Sequence, residues 1–305
     1  MKPKIDPYFL YGTAWKEELT SECVFNALKL GYRAIDTACQ RKHYNEPGVG
    51  DGLLKAYNEL GLKRKDLFLQ TKFTYSAAQD HRIPYDVNDP FSKQVTDSYQ
   101  KSLENLHTDY IDSYILHGPY LNQGLHDIDQ EVWRAIEKLK KDQKVHFIGA
   151  SNVSLNQLKE LYEFAEVKPD FVQIRTFARN AWEKEMRDFC LEKSIIFQGF
   201  SLLTANRDYI GGEIVEPENR NIFKLEFQNS KTDPFHDLVK KYQKTPGQII
   251  FKFCQQLQIL PITGGRTVEN IQKNLEILDF ELNQEEIEFI EKGLLFYKTN
   301  QLKLL

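Results

Sequence analysis

Eight times along this chain a short apolar run gives way to a segment whose apolar residues recur at helical spacing, and no break in composition divides the series. The runs fall at residues 8–13, 34–36, 67–73, 111–116, 145–149, 171–174, 195–200 and 259–262. Helical patterns occupy 17–30, 50–60, a stretch ending near Leu106, and one marked by Val132, Ile136 and Leu139. Others start at Ser154, cover 183–192, 234–242 and 246–257, and run through Val268, Ile271, Leu275 and Leu278. A strand followed by a helix returns to its sheet parallel to the strand before it. Eight such units without a linker predict a closed α/β barrel, (β/α)8, of one domain over residues 1–305. A chain of 305 residues with 41% hydrophobic content can fill the core that such a barrel requires. Gly31 is placed to stop the first helix, and Ser154 with Gln157 three residues on reads as a capping box. The tail from Leu294 reads as short and irregular.

In a parallel barrel, ligands and chemistry gather at the carboxyl ends of the strands. Strand two ends in Asp36, strand three carries Lys72, and strand four delivers His117. The loop after strand two carries Arg41, Lys42, His43, Tyr44, Asn45 and Glu46. Asp36 and Lys72 at a buried rim need each other, because an unpaired buried charge is costly. That pair alone is also an ordinary structural salt bridge, and a lone histidine after a strand is as readily a structural one. A tyrosine beside the lysine ammonium is expected to have its pKa pulled down, which makes it a proton donor. Across the rim, strand eight runs into Thr263-Gly264-Gly265-Arg266-Thr267 ahead of a helix, a pattern suited to cradling phosphate or simply to making the turn. Two connections, 74–89 and 202–233, exceed the usual length and leave strand carboxyl ends, so both overhang this face. The second, with Arg207, Glu213, Glu216 and Arg220, reads as a cofactor lid or as a solvated insertion.

Other chemistries find little support. A formal charge of −4 argues against nucleic acid or an acidic membrane surface as partner. The four cysteines, Cys23, Cys39, Cys190 and Cys254, lie far apart without metal-type spacing and read as free thiols of a reducing compartment. No apolar run is long enough for a signal peptide or a membrane span, so a cytoplasmic protein, acting as a monomer, is expected. There is no metal-ligand cluster, nucleophile elbow or G-x-G-x-x-G, which leaves acid–base chemistry with a carried cofactor.

The stretches YGTAWK (11–16), GYRAIDTA (31–38), YNEPGVG (44–50), LFLQTKF (67–73), SLENLHTDYIDSYILHGP (102–119), IGASN (148–152) and FVQI (171–174), in this order and spacing, resemble the aldo-keto reductase family. The resemblance implies a (β/α)8 barrel and NAD(P)H-dependent reduction of a small-molecule carbonyl, or the reverse oxidation. It implies that Asp36 and Lys72 tune the acid and that His117 orients the carbonyl. The family pattern D-x-x-x-x-Y-x-N-E is broken here, because the loop after Asp36 is two residues longer. Tyr44, the tyrosine of the stretch, is taken as the acid, with His43 as the alternative. A catalytically silent, cofactor-binding regulatory protein on the same barrel is the reading that this altered loop would favour.

For the cofactor, the resemblance implies Ser151, Asn152 and Gln173 around the nicotinamide carboxamide. Phe200 and Ser201 stand where the family has Tyr-Ser, with Leu203 just beyond, and Phe200 keeps a stacking face without the hydroxyl. Gly264, Gly265, Arg266, Thr267 and Asn274 form the phosphate end, where Arg266 favours NADPH with NADH possible. An aromatic wall of Trp15, Phe73, Tyr75 and Tyr120, with Trp182 or Tyr209 as further candidates, suits a small organic carbonyl compound. Ordinary core packing is the competing reading for each.

Overall fold

The computed structural model describes residue 5 and residues 8–206, 213–214, 223–224 and 234–301. Strands β1 (Leu10–Gly12), β2 (Ala34–Asp36), β3 (Phe68–Phe73), β4 (Ile111–Leu116), β5 (Val145–Ser151), β6 (Phe171–Arg175) and β7 (Ile196–Phe200) pair in sequence order, all parallel. A last strand, Leu260–Thr263, pairs with both β7 and β1 and closes the ring. The eight runs read from the sequence are these strands. Within the long 202–233 connection, β8 (Glu213–Ile214) and β9 (Phe223–Lys224) form a two-stranded antiparallel pair, so the closing strand is β10. Arg207, Tyr209, Glu216 and Arg220 of that connection lie outside the described residues.

Because side chains alternate along a strand, each β-strand sends every second residue into the barrel. The register aligns these into layers. Phe68, Phe147, Phe171, Leu260 and Ile262 form an apolar floor. Above it lie Gln70, Ser113, Gln173 and Gln198, each buried. Asp36 and Lys72 come next, toward the carboxyl ends. The opposite faces of the strands pack the main core against the helices, with Leu69, Phe73, Tyr114, Ile148, Val172 and Phe197 among its members.

Helices α1 (Thr20–Leu30), α2 (Glu46–Leu60), α3 (Phe91–Leu106), α4 (Asp127–Lys141), α5 (Leu155–Phe164) and α6 (Lys184–Glu192) follow the strands in turn. They are joined by α7 (Pro234–Tyr242), α8 (Pro246–Gln256), α9 (Val268–Leu275) and α10 (Gln284–Gln301). Gly31 ends α1 in the left-handed conformation at φ 113°. Two boundaries differ from the sequence reading. α2 begins at Glu46 rather than Gly50, because Asn45 caps it and its glycines are contact points rather than a loop. A Cβ at Gly50 would lie 2.0 Å from the Asn105 carbonyl oxygen, and one at Gly52 2.7 Å from that of Ser21. The tail is not irregular: α10 continues through Gln301.

The start of α2 is fixed from below. The Glu46 carboxylate, 1% exposed, accepts from Thr71 Oγ1 at 2.5 Å, Ser102 Oγ at 3.0 and 3.2 Å, and Asn105 Nδ2 at 2.9 Å. It thereby ties α2 to β3 and α3 immediately after the Tyr44 loop. Glu46→Ala strands three buried donors, each worth about 1–3 kcal/mol when left unmade. The variant is expected to lose about 3 kcal/mol or more of stability in denaturant melts, whereas Glu46→Gln, which keeps an acceptor, should lose less.

Candidate active site

At the barrel's carboxyl end Lys72 is fully buried and its ammonium donates to Asp36 Oδ1 at 2.7 Å, Asp36 Oδ2 at 2.8 Å and the Thr37 carbonyl at 2.7 Å. All three ammonium hydrogens are thus placed. Burial pulls Lys72 below its ordinary pKa, and the Asp36 carboxylate works against that pull.

Tyr44 lies over this pair, with the Lys72 ammonium 5.3 Å from its ring centre. The Tyr44 ring meets the His117 imidazole edge-on, centroids 5.7 Å apart. The two extra loop residues are absorbed locally. His43 and Tyr44 both donate their N–H to the Gln40 carbonyl in a turn, which lifts residues 41–43 toward the rim and returns the chain at Tyr44. Arg41, at the usual family distance from Asp36, instead bonds Asn45 Oδ1 at 2.5 Å. His43 stacks on Trp15, centroids 4.1 Å apart. The four residues Asp36, Tyr44, Lys72 and His117 therefore meet.

One electrostatic expectation is overturned. The Tyr44 phenol is held above its ordinary value, by burial first and the Asp36 charge second. Asp36 neutralises the ammonium so closely that Tyr44 faces a dipole, not a free cation. His117 is held well below the ordinary histidine value by burial, the Lys72 charge and His43, so it is neutral. Its Nδ1 lies 2.7 Å from Thr74 Oγ1. Thr74 is 2% exposed, and among the described residues its hydroxyl has no other acceptor. The Thr74 hydrogen therefore points to Nδ1, leaving the proton of the neutral ring on Nε2. Thr74, directly after β3, is a site residue that sequence reading did not find; nothing in its local pattern marks it.

The carboxamide candidates cluster beside His117. Asn152, at φ 56°, donates from Nδ2 to the His117 carbonyl at 2.8 Å and to Ser151 Oγ at 3.1 Å. Gln173 sits lower, and its Nε2 donates to Asp36 Oδ1 at 3.0 Å and Gln198 Oε1 at 2.9 Å. Phe200 packs half-buried against the barrel floor cluster, and Ser201 turns the chain at φ 55°. Leu203 packs on the main core. A cavity of about 410 Å³ lined by Gly118, Asn152, Ser154 and Arg175 opens beside this group.

The aromatic wall is mostly not a wall. Phe73 has no exposure and packs between Tyr75 and Tyr85 on the helix side of β3, since it alternates with inward-facing Lys72. Tyr75 is buried with its hydroxyl on Asp129 Oδ1 at 2.8 Å. Trp182 is core as well, against Phe253. Tyr120 is exposed and stacks edge-on with Tyr75 and Phe91. Trp15, 45% exposed over His43, is the aromatic that borders the site.

At the phosphate end, Thr267 caps α9 by accepting from the Asn270 N–H at 3.2 Å, and Asn274 bonds Thr263 Oγ1 at 2.6 Å. Arg266 reaches back to the Trp15 carbonyl through Nη2, and its Nε is buried without a partner. Lys16, also missed in the sequence, is 2% exposed and donates to the Gly264 carbonyl at 2.7 Å. No carboxylate pairs with Lys16 or Arg266 among the described residues. Two cations, one with an orphaned N–H, beside a helix N-terminus and bare glycines form a site that fits a phosphate-bearing cofactor.

The aldo/keto reductase family model matches residues 10–294. The chain is 31% identical over 271 residues to a glyoxal reductase of Bacillus subtilis, covering 89% of this chain and 82% of that one. It is 29% identical to an NADP-dependent D-sorbitol-6-phosphate dehydrogenase of Malus domestica, covering 90% and 86%. An aldo/keto reductase structure from Brucella melitensis superposes with a TM-score of 0.74 at 27% identity, over 96% of this chain and 98% of that one.

Lys16 yields a prediction that needs no ligand. Burial lowers its pKa to about 8, so the native state binds its proton more weakly than the unfolded chain, where a lysine titrates near 10.4. A depressed ammonium disfavours folding below the native pKa, and the penalty fades as pH rises from about 8 toward 10.4. Each pKa unit is worth about 1.4 kcal/mol, offset by about 1 for the lost Gly264 bond. Lys16→Met should therefore stabilise the chain by about 2 kcal/mol at pH 7, with the gain shrinking between pH 8 and 10 in thermal melts. A constant or growing gain would contradict the assignment.

Proposed function

The chain belongs to the aldo/keto reductase family and is an oxidoreductase; on that premise we propose that it reduces aldehyde or ketone groups of small molecules with NADPH. The observation that carries this is the position of Tyr44 above Lys72 and against His117 despite the lengthened loop. The alternative donor, His43, is stacked on Trp15.

The proposed division of labour follows from protonation states. Bound NADPH supplies the hydride. Neutral His117 offers its Nε2 hydrogen to the substrate carbonyl and so fixes its direction, and Thr74 holds the ring in that tautomer. Tyr44, fully protonated because its pKa is raised, donates its phenolic hydrogen as charge grows on the carbonyl oxygen. Lys72, anchored by Asp36, supplies a positive end beneath the resulting phenolate. Ser151, Asn152 and the Gln173 oxygen would hold the carboxamide and Phe200 the ring face. Lys16, Arg266, Gly264, Gly265 and Thr267 would hold phosphate, with Asn274 fixing the start of α9.

NADPH over NADH is favoured by Arg266, whose Nη1 and buried Nε have no partner among the described residues and could meet an anion. The NADP-dependent Malus relative supports the same choice.

Two measurements test the reading. Tyr44→Phe should lower kcat for aldehyde reduction by about 10²-fold or more with cofactor binding intact, since a positioned general acid contributes about 10²–10⁴. His43→Gln should be mild. A dead His43→Gln with an active Tyr44→Phe would reverse the donor assignment, and no turnover by the wild type over a broad carbonyl panel despite cofactor binding would favour the regulatory reading. Separately, Arg266→Ala should weaken NADPH by about tenfold or more, the lower end for a charge-assisted contact, while leaving NADH nearly unchanged. Equal wild-type affinities for the two cofactors would remove the basis for that choice.

A further inference from the structure

Asp36 does more than pair with Lys72. Its Oδ1 also accepts from Gln70 Nε2 at 2.8 Å and Gln173 Nε2 at 3.0 Å. Gln70 and Gln198 bond each other in both directions, at 2.8 and 3.0 Å, and Ser113 Oγ adds a hydrogen to Gln70 Oε1 at 2.9 Å. Gln198 Oε1 also accepts from Gln173 Nε2 at 2.9 Å. The four neutral residues are at most 3% exposed, so no water competes for these contacts.

The polarity of this amide layer is dictated by one charge. Were Gln173 flipped, its oxygen would face both the Asp36 carboxylate and the Gln198 oxygen, two acceptor–acceptor contacts in a dry interior. In the observed orientation both Gln173 amide hydrogens are taken up by Asp36 and Gln198, and among the described residues its oxygen alone is left unused.

We infer that Gln70 and Gln198 are positioning residues: they lock Gln173 so that it meets the nicotinamide carboxamide as a hydrogen-bond acceptor only. The Asp36–Lys72 pair thus serves the hydride donor's site as well as the proton donor. This rests on the proposed use of NADPH.

The test compares the affinity of the full chain for three probes by calorimetric titration. They are NADPH, its analogue with an acetyl group in place of the carboxamide (which lacks the N–H donors), and 2′-phospho-ADP-ribose, which lacks the nicotinamide altogether. Wild type should prefer the carboxamide form. Gln198→Met should cut that preference about fivefold, the worth of one neutral hydrogen bond, and leave 2′-phospho-ADP-ribose affinity unchanged. Gln198→Glu should retain the preference, because a carboxyl buried beside Asp36 stays protonated and reproduces both the acceptor and the donor of the amide. A general loss of packing would weaken all three probes together. Should Gln198→Met fail to fold, Gln70→Met carries the same expectation. The inference is overturned if the folded Met variant keeps the wild-type preference, if Glu loses as much as Met, or if wild type shows no preference. Wild type that binds 2′-phospho-ADP-ribose but not NADPH would overturn the inference and the proposed cofactor use together, whereas binding of all three probes without any carbonyl turnover would overturn only the proposed reaction.

Discussion

A lysine and an aspartate buried side by side near the top of a closed barrel set the terms for everything around them. Taking two such charges out of water costs several kcal/mol each, and mutual attraction repays it only when every remaining lone pair and proton is placed. Here the Lys72 ammonium has three acceptors, and the Asp36 carboxylate has Lys72 plus two glutamine amides. The amides are themselves held by Gln198 and Ser113. A buried ion pair thus requires a polar layer directly beneath it, in a place where barrels usually stack branched aliphatic side chains. The aromatic and aliphatic floor lies one layer lower.

The same pair explains why the site's two proton-bearing groups sit where they do on the pH scale. Asp36 offsets the Lys72 ammonium at 2.7 Å, so Tyr44 is governed by its own desolvation first and by the carboxylate charge second. His117 receives the repulsive share of Lys72 and keeps no proton to spare. Both are therefore neutral donors over the physiological range, a state suited to stabilising an oxygen on which charge develops. Lowering the pKa of a tyrosine is one route to a proton donor; keeping the phenol neutral beside a paired cation is the arrangement found at Tyr44.

How much of this was legible in the residues differs by scale. The barrel was, because strand and helix periods alternate eight times and periodicity survives any tertiary adjustment. Asp36, Lys72 and His117 were, because each stands at a strand's end. Tyr44 was legible only as one of two choices, since counting back from Asn45 and forward from Asp36 names different residues; that Tyr44 lies against His117 and Lys72 is a tertiary contact no count along the chain supplies. Phe73 and Tyr75 misled because aromatic character does not reveal which face of a strand a residue takes, although parity with Lys72 already placed Phe73 outside. Glycines in α2 hid its first turn, for the contacts that require them lie on α1 and α3. Thr74 carries no pattern, and Lys16 closes the YGTAWK stretch with no mark of a site role; both show themselves only through contacts to His117 Nδ1 and the Gly264 carbonyl.

Lys16 and Arg266 complete the picture by contrast with the buried pair. Near the barrel axis a cation is matched by a carboxylate of the chain itself. At the α9 terminus two cations, one of them almost fully buried, donate to loop carbonyls, the Lys16 ammonium also lying over the Tyr11 ring, and neither has a carboxylate partner among the described residues. Burying the Lys16 ammonium without a counter-charge lowers the stability of the chain alone. An anion bound at this helix N-terminus, whose dipole has the same preference, would offset that cost. Binding of the proposed phosphate-bearing cofactor would recover stability at this end of the barrel, whereas the Asp36–Lys72 centre carries its own counter-charge.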